Sequence, residues 1–71
     1  MSKSKLGERL RAARESRGWS LEFVGARMGR TARTIRRYED DCPPPSLKAL
    51  DVLAELYGVS ASDLLSDDSS D

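Results

Sequence analysis

Histidine is absent from this 71-residue sequence, and cysteine occurs once, as Cys42. A single thiol forms no intramolecular disulfide, and without histidine it closes no zinc site. The missing imidazole also removes the commonest general base. No acid/base pair, metal-ligand set or phosphate-cradling loop takes its place, so no enzyme, metal centre or cofactor is expected, and no small-molecule ligand is evident. No apolar run approaches the ~18 residues of a membrane helix. The opening MSKSK lacks the apolar stretch of a secretion signal. A cytoplasmic protein without membrane attachment is the expectation. The length suits one small domain, whose stability rests on good helix packing or on a second subunit.

Net charge is missing too, since twelve Lys plus Arg balance twelve Asp plus Glu. The balance is a sum of opposites. Residues 1–37 carry eleven basic side chains against Glu8, Glu15 and Glu22, while residues 38–71 carry Lys48 against nine carboxylates. The halves therefore stand at +8 and −8. Such asymmetry fits either nucleic-acid binding with an acidic tail or two solvated helical faces.

Apolar spacing is helical almost throughout. Leu6, Leu10 and Ala13 mark a first helix over 5–17, with Gly18 as its stop. Ser20 caps a second over 21–28, with Leu21, Val24 and Met28 on one face and Gly25 implying a close approach by a neighbouring helix. After Gly29, Thr31 caps a third over 32–39, whose apolar edge is only Ile35 and Tyr38 between Arg33, Thr34, Arg36 and Arg37. Two short helices joined by a glycine-containing turn have helix-turn-helix spacing. Pro43, Pro44 and Pro45 form a stiff connector. Ser46 then caps a fourth helix over 47–57, with Leu47, Leu50, Leu53, Ala54 and Tyr57 as its inward edge. A short fifth over 61–65 carries Leu64 and Leu65 and is capped by Ser60 or Ser62. The expected organisation is a basic arm at 1–5, a folded domain at 6–65 and an acidic disordered tail at 66–71.

The sequence resembles the lambda-repressor/Cro class of helix-turn-helix proteins, the Xre family. The match is carried by LGERLR from Leu6, GWSL from Gly18, Val24-Gly25 with Met28-Gly29, TARTIRRYE from Thr31, PSLKAL from Pro45 and AELYGVSASDLL from Ala54. The resemblance implies an all-α, compact five-helix domain in which helix two braces on the DNA backbone and helix three enters the major groove. Base edges are then read from Ala32, Arg33, Arg36 and Arg37. Arginine forks fit the guanine O6 and N7 acceptors, and Ala32 suits a thymine methyl. Arg33 and Arg37 are the leading readers, while Arg36 can turn to phosphate; the alternative is that all three only neutralise phosphates. Ser20, Arg30, Thr31 and Thr34 are candidate phosphate contacts, joined by Lys3 and Lys5 from the arm.

Three positions depart from the family pattern. Leu21 stands where a phosphate-binding glutamine is usual, Gly25 where alanine is usual, and Asp41 where glycine tends to follow helix three. The resemblance further implies a structural ion pair between Arg14 and Glu39. It assigns Trp19, Tyr38 and Tyr57 to the core rather than to base stacking, with Phe23 the least determined. Relatives bind as twofold dimers to half-sites about one helical turn apart. Val52, Leu56 and Leu65, left over from the inward edge, are candidate homodimer contacts. A sequence-specific double-stranded DNA-binding repressor is the leading expectation. The rival is an antitoxin-like or antagonist protein-interaction module, with Asp67, Asp68 and Asp71 as contact or DNA mimic.

Overall fold

The computed structural model describes residues 5–40 and 44–65, and of Lys5 only the backbone. The expectations placed on Lys3, the Lys5 side chain, Asp41, Cys42, Pro43 and the acidic tail lie outside the described residues. Five helices form: α1 Lys5–Ser16, α2 Leu21–Met28, α3 Ala32–Asp40, α4 Leu47–Tyr57 and α5 Ala61–Leu65. Lys5 thus opens α1, and α3 runs one residue beyond the expected end.

The helix ends follow from local chemistry. Ser20 and Ser46 sit in extended backbone, and each hydroxyl accepts the N–H three residues on, Phe23 at 2.9 Å and Ala49 at 3.1 Å. Ser60 caps α5 in the same way through Asp63. At the end of α2, Gly29 at φ +71° lets its own N–H reach the Ala26 carbonyl while Arg30 N–H reaches the Gly25 carbonyl at 2.7 Å. This paired closure satisfies two orphan carbonyls and turns the chain sharply into α3.

The core gathers one edge of every helix: Leu10, Val24, Ile35, Leu50, Leu53, Ala54, Tyr57 and Leu64 are all buried. Leu6, Ala13, Trp19, Leu21, Met28 and Tyr38 pack half-buried around them. Leu47 corrects the expectation for α4, because it is 74% exposed. It is the first residue of its helix, and helical side chains lean toward the N-terminus, so Leu47 projects past the end of the core. Leu56 corrects another. It packs against the core rather than standing free, which leaves Val52 and Leu65 as the exposed members of the proposed dimer set.

Two glycines allow the helices to approach closely. A Cβ on Gly25 would stand 2.9 Å from the Arg30 carbonyl oxygen, so the tight approach is to the backbone of the turn and the start of α3. Even the alanine usual at this place would force a shift. Gly7 is the second, and its importance is not visible in the sequence. It is buried in α1 directly against the Glu39 carbonyl, leaving no room for a methyl group.

Tyr57 carries a buried hydroxyl with no hydrogen-bond partner. Burial, reinforced by the charge of Glu39 and opposed by that of Arg14, pushes its pKa up to about 12. An unfolded tyrosine titrates near ~10. The folded state therefore holds its proton where the unfolded chain releases it. This contribution is complete below pH ~10 and is lost as pH rises toward ~12, removing up to roughly 2–3 kcal/mol. Tyr57→Phe is expected to be at least as stable at neutral pH, since it deletes an unsatisfied hydroxyl, and to lose that share of the alkaline decline. Urea titrations between pH 8 and 12 check this; identical alkaline declines for both proteins contradict it.

Candidate nucleic-acid interface

Helix α3 divides cleanly around its circumference. Ile35 and Glu39, one turn apart, are buried. Arg33, Arg36 and Arg37 are exposed, with Ala32 and Thr34 half-buried. The reason is compositional, because α3 has one aliphatic anchor and its remaining long side chains are charged or aromatic. A helix held along so narrow an edge presents a wide basic arc. Arg33 and Arg37 lie one turn apart on it, and among the described residues neither side chain has an ion-pair or hydrogen-bond partner. Arg36 differs. Its Nε stands 3.7 Å from Asp40 Oδ2, with both side chains largely exposed.

The orientation of α3 is set from its buried side. Arg14 on α1 donates from Nε to Glu39 Oε2 at 2.7 Å and from its terminal nitrogen to Oε1 at 3.2 Å. Its other terminal nitrogen donates to the Trp19 carbonyl at 2.9 Å. One guanidinium thus joins α1, the turn before α2 and the end of α3. The hydrogen bond to Glu39, more than its charge, raises the Arg14 pKa against the opposing effect of burial. The guanidinium stays charged.

The turn between α2 and α3 supplies hydroxyls. Thr31 Oγ1 accepts the Thr34 N–H at 3.2 Å and lies 3.2 Å from Thr34 Oγ1. One hydroxyl proton is used between the two threonines, so the other is available to an outside acceptor. Ser20 is similar, since its oxygen accepts from Phe23 and its proton remains to be donated. Arg30 is exposed beside this turn.

Lys48 brings a further cation beside this turn. It lines a surface groove of about 180 Å³ with Arg30, Met28, Tyr38 and Ser46. Nothing in the acidic half of the sequence signals this, because the proximity arises only when α4 folds back beside the turn. On the other flank of α3, Leu21 lines a cavity of about 260 Å³ with Gly7, Glu8, Arg14, Arg36 and Glu39.

The aromatics separate by burial. Tyr57 lies in the core, Trp19 and Tyr38 are half-buried, and Phe23 is 42% exposed. Phe23 packs on Trp19 with centroids 5.1 Å apart, and the Arg27 guanidinium lies 5.8 Å from its ring centre. Among the described residues no group of three or more His, Cys, Asp or Glu side chains is placed to hold a metal. No described helix is long and apolar enough to cross a membrane.

Comparison with known proteins agrees with this geometry. HTH-type transcriptional regulator AnsR of Bacillus subtilis (strain 168) is 34% identical over 58 residues. The alignment covers 82% of this chain and 50% of that protein, so the chain spans half of its relative's length. No solved structure matches. The family described as helix-turn-helix domain matches residues 5–66, nearly the whole chain. With α2, the Gly29 turn and α3 in helix-turn-helix arrangement within that span, the chain belongs to the helix-turn-helix domain family.

Proposed function

We propose that this chain is a sequence-specific double-stranded DNA-binding transcription regulator, acting as a repressor by occupying its operator. Helix α3 enters the major groove, where each base pair offers a distinct donor and acceptor pattern. The observation that carries the reading is the pair Arg33 and Arg37, exposed one turn apart and without ion-pair or hydrogen-bond partners among the described residues, on a helix fixed from behind. Ala32 begins the same arc, and Arg36 adds charge beside it. Ser20, Arg30, Thr31 and Thr34 contact phosphates, with Lys3 and Lys5 adding charge from the start of the chain. Val52 and Leu65, both exposed, form the homodimer contact that sets two α3 helices on successive half-sites. The relative's description as a transcriptional regulator supports the same assignment.

Salt dependence tests the proposal. Each neutralised phosphate contributes about 0.9 to the slope of log K against log salt. Arg30, Lys3 and Lys5 alone then give a slope of roughly −2.7, and steeper in a dimer. Fluorescence anisotropy on a labelled duplex between 50 and 300 mM salt is expected to show this fall. A flat response, or no duplex binding at low salt, favours a protein-interaction module built on the same scaffold.

A further inference from the structure

Asp40 is out of place by the rules of helix stability. It is the last residue of α3, at the negative end of the helix dipole, where a carboxylate is unfavourable. Its ion pair with Arg36 has the cation N-terminal to the anion, the weaker order at i,i+4 spacing. At 3.7 Å, and with the side chains 72% and 50% exposed, the pair contributes little to folding. It has a clear consequence for the basic arc instead. Arg36 faces the flank where Glu8, Glu39 and Asp40 line the cavity between α1 and α3, together with Arg11 and Arg14. Arg14 engages Glu39 and Arg11 engages Glu15, so Asp40 is the carboxylate that pairs with Arg36.

We propose that Asp40 tunes the affinity of this interface for duplex DNA, holding Arg36 toward the α1 flank and so withholding one cation from the phosphates while Arg33 and Arg37 read bases. The inference rests on the DNA-binding function proposed above. An arginine free to swing adds one phosphate contact to any duplex, which strengthens random and operator binding alike. Restraining it therefore lowers affinity for both by the same factor and leaves their ratio to the base contacts made by Arg33 and Arg37.

A double-mutant cycle tests the restraint. Asp40→Asn, Arg36→Ala and the double variant are compared with the unaltered protein on a random-sequence duplex and on a duplex recovered by selection. Asp40→Asn is expected to tighten binding to both duplexes by the same factor, roughly twofold at 0.1 M salt, and to steepen the salt slope by up to about 0.9. In the Arg36→Ala background the same change is expected to have less than half of that effect, on the logarithmic scale. Equal increments in both backgrounds mean that Asp40 acts only as a distant negative charge, and this overturns the restraint while DNA binding stands. Absence of duplex binding by all four proteins overturns the proposed function and the restraint together. Thermal melts accompany the cycle, and a large loss of stability in Asp40→Asn would contradict the minor folding role assigned to the pair.

Discussion

Glu39→Ala is expected to cost about 3–5 kcal/mol of stability, the usual consequence of leaving a buried charge without its partner. Arg14 and Glu39 side chains are 11% and 7% exposed and meet through two hydrogen bonds. After the substitution Arg14 keeps its bond to the Trp19 carbonyl and a 3.9 Å approach to Glu15, neither of which replaces a buried carboxylate. A domain of this size loses roughly 4–8 °C in Tm per kcal/mol, so the variant should melt at least ten degrees lower. The Arg11–Glu15 pair supplies the contrast. Its side chains are 62% and 53% exposed, and Glu15→Ala should leave stability almost unchanged. Glu39→Gln keeps an acceptor oxygen opposite Arg14 and should fall between the two. Calorimetric melts check all three. Because Glu39 faces inward, the preferred DNA site should stay the same in whatever fraction remains folded. A changed site with stability intact would make Glu39 a contact residue and refute its scaffold role.

The second large effect concerns recognition. Arg33→Ala is expected to cost about 1–3 kcal/mol in operator affinity and to relax preference at one position of each half-site. The side chain is exposed and, among the described residues, has no ion-pair or hydrogen-bond partner, so its removal should leave the fold unchanged. The loss is therefore one of contact. Lys5→Ala should instead weaken binding to every duplex alike and reduce the salt slope by about 0.9. Competition between single-substitution operators separates the two behaviours. Uniform weakening by Arg33→Ala across all duplexes would make Arg33 a phosphate contact.

Much of this architecture is legible in local sequence. Ser20 and Ser46 as caps, glycine at Gly18 and Gly29 as stops, and apolar residues at helical spacing are short-range signals, so the five helices follow within a residue at most ends. Long-range relations are not legible that way. Arg14 and Glu39 are 25 positions apart in charge-rich segments, and only the family resemblance points from one to the other. Gly7 has no local reason to be glycine; its reason is the Glu39 carbonyl pressed against it. Leu47 continues the helical period of the buried edge and yet lies outside the core, because periodicity fixes a face but not how far the core extends along it. Leu56 errs in the opposite direction, packing where the pattern alone left it free. Lys48 illustrates the same limit, since a charge count assigns it to the acidic half while the fold sets it in one groove with Arg30.

The zero net charge of the sequence is thus resolved by placement. An exposed basic arc on α3 is held from behind by a buried ion pair, and the acidic residues concentrate after it. Selection of bound duplexes from a random pool, run with the unaltered protein and with Arg33→Ala, tests this account most directly. The predicted result is a twofold-symmetric site with guanine in each half, centres about one helical turn apart, and loss of preference at one position per half in the variant. Recovery of no enriched sequence by the unaltered protein, or of the same site with undiminished preference by Arg33→Ala, would contradict it.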